Sequence, residues 1–438
     1  LKNFLIVIIT AFCLLLLFSV LKKGDLFNKE IIPIAEGYAR NSINTVIFRK
    51  NSIASHKDYQ IVSFYDGNGN VILAKRKLSS SGWEVHKTQY KGKVEDAHNS
   101  ISIMIDGDGY LHMAWNHHGD SLNYCKSISP DGLELTCKMI MTGYKEENVT
   151  YPEFYRLPGG DLIFAYRDGS SGNGNMIMNY YDTKNKTWST LHDNLIDGEG
   201  QRNAYWQMTV GADGTLHLSW VWRESWDVAT NHDLCYAKSL NNGKTWRKSN
   251  GEIYQLPINV KTAEYAAVIP QGSELINQTS ICGDSDGHPY IANYWTPEGS
   301  KIPQYHLVYN DGNEWKTQQI SKRETAFSLS GGGTKRIPIS RPQIAVDDEN
   351  TFYLIYRDIE RNNLASVAVC KNLDDGIWTV ADYTQHTLGQ WEPTFDTELW
   401  RSQNKLHILI QNVGQGDAET LQYVPPQIVA VLELEKKN

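Results

Sequence analysis

The chain has 438 residues, a net charge of −8 and 21 % charged residues. That length can bury several cores or one large closed one, while the acidic balance excludes a broad nucleic-acid-binding surface. Any anionic substrate must then meet a local basic cleft. The 24 Tyr and 13 Trp suit half-buried strands and can equally stack on sugar rings.

The N-terminal "LKNFLIVIITAFCLLLLFSVLKKGD" sets an apolar run, Phe4 to Leu21, between lysines. Residues 1–24 therefore read as a secretory signal or a single membrane anchor, and the absence of a clear small-residue cleavage site leaves both open. Either way the body is expected to be secreted, periplasmic or at the cell surface, with membrane contact only through an uncleaved anchor. Five further cysteines follow, Cys125, Cys137, Cys235, Cys282 and Cys370, an odd and low count that excludes a disulfide scaffold. Cys125 and Cys137 flank "SPDG" symmetrically and could form a disulfide across a hairpin or pack as two thiols.

From residue 30 onward one pattern recurs. A polar turn with Asp, Asn or Gly precedes a short aromatic-aliphatic strand, first in "YQIVSFYDGNGNVILAKR". It returns in "GDGYLHMAW", "GGDLIFAYR", "ADGTLHLSW", "SDGHPYIANYW", "DENTFYLIYR" and "QNKLHILIQ". Ser239 to Trp246, "SLNNGKTW", approaches the Asp-box S-x-D-x-G-x-x-W with Asn in the Asp position. The period is that of a four-stranded blade, and no long helical periodicity interrupts it. The expectation is all-β: one seven-bladed β-propeller over residues 30–438. Early "SINTVIFRK" and C-terminal "PPQIVAVLELE" should meet where the ring closes, because closure removes free sheet edges.

Propeller strands deliver their end residues to a shared funnel. The stretch Asp96 to Asp120 holds four of the thirteen histidines. His98 opens one strand and His118 ends the next, so an antiparallel hairpin brings both to the same end. His112, mid-strand, should be packed, and of the neighbours His117 and His118 only one should face the cleft. Blade three offers Tyr151 and Arg167, followed by the Gly-rich "DGSSGNGN", through which a polymer could approach the backbone. Blade four offers Arg202, Asn203 and Tyr205. A single His or Tyr at a strand end is usually structural, and several at one rim carry more weight. The set lacks an obvious carboxylate pair for glycoside hydrolysis. It suits β-elimination on a uronic acid: a guanidinium neutralises the carboxylate, and His or Tyr moves the protons.

"DAHNSISIMIDGDGYLHMAWNHHG", "YPEFYRLPGGDLIFAYRDGSSGNGN", "NHDLCYAKSLNNGKTW" and "SLSGGGTKRIPISRPQI" resemble the BNR-repeat propeller family that includes ulvan lyases. The similarity is greatest to the seven-bladed lyases of polysaccharide lyase families twenty-four and twenty-five. The resemblance implies β-elimination of ulvan, a sulfated rhamnose–uronic acid polymer, giving a 4,5-unsaturated uronyl product. This anionic algal polysaccharide would be the partner of a monomeric enzyme that needs no catalytic cofactor. It makes His98 and His118 the catalytic histidines, Tyr151 an acid/base tyrosine, Arg167 the carboxylate-neutralising arginine and Tyr205 a further active-site tyrosine. Which of His98 and Tyr151 is base and which acid depends on the uronate epimer. Asn99, His117, Arg202 and Asn203 are expected beside them as substrate-binding residues. A structural zinc is also implied, held by His232, Cys235, Cys282 and His288, against a reading of buried histidine and packed thiols. The competing functions are a sialidase-like glycoside hydrolase and a non-catalytic carbohydrate-binding propeller.

Overall fold

The computed structural model describes residues 26–46 and 51–437. The apolar segment read as a signal or anchor lies outside the described residues. The repeated pattern becomes seven antiparallel sheets. The inner strands of blades one to six are Ile53–His56, Ile101–Ile105, Val149–Arg156, Asn203–Val210, Ser280–Gly283 and Gln343–Val346, and Thr394–Phe395 serves blade seven. Met104, Tyr155, Met208, Ile281, Ile344 and Phe395 converge from six of these strands on a central channel. The protein is a seven-bladed β-propeller.

The recurring aspartate is explained by its hydrogen bonds. Asp66, Asp106, Asp284 and Asp347 each accept backbone N–H groups two and four residues ahead with one carboxylate oxygen, at 2.8 to 3.0 Å. Such a side chain closes a tight turn between successive strands, the first two of a blade for Asp106, Asp284 and Asp347 and the second and third for Asp66. In the Asp-box variant, Ser239 Oγ accepts from the Gly243 N–H at 3.0 Å and Asn241 Oδ1 from the Thr245 N–H at 2.9 Å, while Trp246 is fully buried. Asparagine thus does the work of the usual aspartate. Inner strands are buried throughout, as "ISIMI" is, whereas the outer Glu84–Lys91 is largely exposed.

Ring closure differs from the expected strand pair. Gln427–Lys436 does close blade seven, but its partner is Phe27–Gly37, "FNKEIIPIAEG". Ser42 to Val46 instead form a turn, with the Thr45 and Val46 N–H groups donating to the Ser42 carbonyl. Proline and scattered charge hide the true strand in the sequence. On a sheet edge, beside a register shift between Pro33 and Ala35, proline is tolerated. Arg76 of blade one, ion-paired to Glu433 of blade seven, ties the seam from inside. Cys125 is buried and Cys137 exposed, and both are free thiols, so the possible disulfide does not form.

Candidate active site

The hairpin of blade two does what its alternation implies. Ile101 pairs with Trp115, so the residues before and after these strands emerge at one end. Three residues beyond Trp115, the chain crosses to the next blade: His118–Asp120 adds a fifth strand to blade three. There His118 pairs with Thr150, and Thr150 with Arg167. One row across three strands therefore carries His118 and Arg167 to the same face. Tyr151, beside Thr150, sits at a bulge with φ of 56°, a left-handed conformation unusual for a bulky residue.

At the centre, Asp96 joins two imidazoles. Its Oδ1 meets His98 Nδ1 at 2.8 Å and its Oδ2 meets His118 Nδ1 at 2.6 Å. The two rings stack with centroids 4.0 Å apart and planes 11° from parallel. His98 is buried and its Nδ1 also lies 3.2 Å from Glu419 Oε1, whereas His118 is 39 % exposed toward solvent. Burial disfavours the His98 cation, but hydrogen bonds to Asp96 and Glu419 and their charge outweigh it and lift the pKa to about 9. The same contacts, against the opposing effect of burial, hold Asp96 and Glu419 below the usual carboxylate range.

Two tyrosine–arginine pairs continue the cleft. The Arg167 guanidinium lies 4.9 Å over the Tyr151 ring, and Arg223 lies 5.4 Å from that of Tyr205. The Tyr151 ring centroid is 5.9 Å from His98 and 5.8 Å from Tyr205. Burial pushes the Tyr151 phenol well up, with the neighbouring Tyr205 adding to it. For Tyr205 burial acts the same way, but Arg223, Arg167, Ser171 and Asn203 overcome it and bring the phenol down to about 8. Ser171 Oγ and Tyr205 Oη are 3.0 Å apart. Arg167 is 2 % exposed, and its Nε and Nη1 have no hydrogen-bond partner among the described residues. In the Gly-rich loop, a Cβ on Gly174 would fall 2.8 Å from Arg167 Cδ, so that glycine makes room for the guanidinium.

The structure thus brings together His98, His118, Tyr151, Arg167, Tyr205 and Asn203. His112 is packed, as its mid-strand place implies, between Tyr124 Oη and Asp106. Three residues expected to bind substrate are placed otherwise. His117 is fully buried in the link between Leu111–Trp115 and His118–Asp120, with Nε2 accepting the Asn123 N–H at 2.7 Å. Asn99 is buried in its turn and donates to the Lys93 carbonyl. Arg202 is neutralised by Glu199 at 2.6 Å and Glu224 at 2.7 Å. Asp96, Glu419 and Arg223 were not singled out by sequence. Arg223 has a visible signal, an Arg closing the aromatic-aliphatic run of a blade's second strand as Arg167 does. Glu419 has none, standing in a loop of blade seven.

The residues implied as zinc ligands do not fit the metal. His232 has both ring nitrogens on carboxylates, Asp233 and Glu224, each at 2.9 Å. Cys235 packs with Trp220 and Trp222 in the core of blade four, while Cys282 belongs to a separate core with Tyr290. His288 turns back to Asp284 at 3.0 Å. Among the described residues the only three or more His, Cys, Asp or Glu side chains with candidate metal-donor atoms within 4.8 Å of one another are Asp96, His98 and His118. Their contacts are already satisfied as hydrogen bonds.

This arrangement defines a β-propeller in which blades two to four bring together imidazoles, phenols and a guanidinium whose Nε and Nη1 lack a hydrogen-bond partner among the described residues. The chain belongs to the BNR repeat-containing family, which matches residues 59–323. An ulvan lyase of Alteromonas sp. (strain LOR) is 23 % identical over 328 residues, covering 65 % of this chain and about two thirds (67 %) of that relative. The polysaccharide lyase Uly1 superposes with a TM-score of 0.67 at 15 % identity, over 95 % of this chain and 98 % of the other. A PL25 ulvan lyase bound to -[GlcA(1-4)Rha3S]- gives 0.68 at 14 % identity, over 92 % and 96 % of the two chains. At these identities the two structures share the fold.

Proposed function

We propose that this protein is a polysaccharide lyase that cleaves ulvan, or a close uronate-containing relative, by β-elimination. The observation that carries the reading is Arg167. A buried guanidinium with unpaired N–H groups is costly, and a carboxylate arriving in the cleft would satisfy it in a two-donor clamp. The named activity of the ulvan lyase relative and the uronate in the ligand of the PL25 structure support that class of substrate.

In this reading Arg167 neutralises the uronate carboxylate, which acidifies the C5 proton and stabilises the enolate-like charge that follows. His118, exposed to the cleft and oriented through Nδ1 by Asp96, takes that proton at Nε2 as a neutral imidazole. Tyr151, kept protonated by burial, gives a proton to the departing O4. The His98 imidazolium adds positive charge beside them. The C4–O4 bond breaks as the C4=C5 double bond forms, and no water is consumed.

The carboxylates of the cleft favour this over hydrolysis. A glycosidase needs one carboxyl kept protonated as general acid, whereas, against burial, His118 and His98 hold Asp96, and His98 holds Glu419, below the usual carboxylate range. Export through the apolar N-terminal segment would suit a polymeric substrate. The test is incubation with ulvan and other uronate polymers, following ultraviolet absorbance of the unsaturated product. Cleavage with new reducing ends and no such absorbance would refute the proposal.

A further inference from the structure

The family match ends at residue 323, yet the cleft is completed by residues beyond it. Glu419 lies in the loop after the last inner-blade hairpin, and its carboxylate is fixed from three directions. Oε1 accepts the Thr334 N–H at 2.6 Å and lies 3.2 Å from His98 Nδ1, and Oε2 accepts the Ala97 N–H at 3.0 Å. The loop itself is locked, since the Ala418 N–H donates to the Thr334 carbonyl, and both Ala418 and Glu419 have positive φ. Gly333 allows the approach: a Cβ there would come 2.9 Å from Ala418 Cα. Such a strained turn is kept where the surroundings over-determine it.

We propose that Glu419 is a positioning residue: with Asp96 it clamps His98 at Nδ1, so that blade seven and the 330–334 loop fix the orientation and protonation of a histidine carried by blade two. This rests on the lyase reading for its kinetic consequence, though not for the clamp itself. The charged and titratable groups around His98 are Asp96 in its own turn, His118 and Tyr151 of blade three and Glu419 of blade seven. Lys335, in the neighbouring loop, faces Asp417 at 3.4 Å. Two carboxylates sharing one imidazole make an imidazolium the favoured form, and removing one charge should weaken that preference.

Glu419→Gln keeps an oxygen for the Thr334 N–H and removes the charge, and Glu419→Asp keeps the charge on a shorter arm. Histidine-selective ¹⁵N NMR titration, with the His98 signal assigned from its loss in His98→Ala, reads the clamp without turnover. In Glu419→Gln the His98 titration should move down by about one pH unit or more, with Asp partly restoring it. On an ulvan substrate kcat should fall by about tenfold or more, because a weakened His98 imidazolium leaves less positive charge beside the developing enolate, with KM little changed and the alkaline limb moved the same way. An unmoved His98 titration in a folded Glu419→Gln protein overturns the proposal. So does a lower Tm with an unchanged pH profile, which would leave Glu419 a loop brace. Absence of turnover in the wild-type protein would count against the lyase reading alone, because the titration would still decide the clamp.

Discussion

His98 and His118 lie face to face, 4.0 Å between ring centroids, each with Nδ1 on a different oxygen of Asp96. Stacked imidazoles sharing one carboxylate do not both hold a positive charge comfortably. The second carboxylate, Glu419, is on the His98 side. The asymmetry divides the work: a buried imidazolium at His98 and an exposed, carboxylate-oriented ring at His118.

The neighbours His117 and His118 should therefore fail in different ways. His118→Ala is expected to lower kcat by roughly 10²- to 10⁴-fold, as for loss of a general base, with Tm nearly unchanged. His117→Ala leaves the Asn123 N–H without its acceptor in a sealed site and should cost about 2–4 kcal/mol of stability. Activity per folded molecule should survive in that variant. Thermal melts and kinetics on the two purified variants check the contrast.

Arg167 should show a trade between stability and activity. Its guanidinium is buried without partners at Nε and Nη1, though it gains from lying over Tyr151. Arg167→Met is expected to leave Tm unchanged or raised while kcat/KM falls by about a hundredfold or more. Arg167→Lys, which keeps the charge but lacks the planar fork, should lose most activity as well. A marked fall in Tm for Arg167→Met would mean that the residue is a structural prop.

Much of this was legible in the sequence, for identifiable reasons. The seven strands near Asp-, Asn- or Gly-bearing turns announce seven blades, and in several of them the aspartate is itself the turn's acceptor. That one of the neighbours His117 and His118 is buried was legible, although the pair straddles the start of a strand rather than lying within one. The closing strand was not legible, since Phe27–Gly37 sits on an edge where proline is tolerated. Glu419 was not legible either: it reaches His98 across the funnel, and no local pattern records a contact between blades two and seven. The zinc reading failed because spacing cannot show that His232 already has a carboxylate on each nitrogen.

Stability should have a defined pH window. His98 has its folded pKa raised to about 9, so its contribution is full below the ordinary histidine value near 6.5 and is lost as pH rises through about 9. His117 and His407 are buried and brought down to about 3, His407 partly by Arg76 and Lys405, so their cost appears as pH falls below about 6.5 and grows toward 3. Asp96 and Glu419, held low, add to the loss on the acid side. Chemical denaturation across pH should give a maximum near neutrality with decline on both sides. In His98→Gln the alkaline decline should be smaller.

The seam between the first and last blades should depend on Arg76. It is buried, ion-paired to Glu433 and hydrogen-bonded to Gln60 at 2.7 Å. Arg76→Ala leaves Glu433 and Gln60 without their partner and should cost about 3–5 kcal/mol, seen as a lower denaturation midpoint. Because the hydrogen bonds and ion pair of Arg76 reach none of the cleft residues, kcat of the folded fraction should be retained.

The most direct test of the account is the product formed by the purified wild-type protein from ulvan, examined beside Arg167→Met. A β-eliminating enzyme should give shorter chains ending in a 4,5-unsaturated uronyl group, with no incorporation of ¹⁸O from labelled water at the cleaved linkage and loss of that product in the variant. Reducing ends formed with ¹⁸O incorporation and no unsaturation, or binding of the polymer without cleavage, would contradict it.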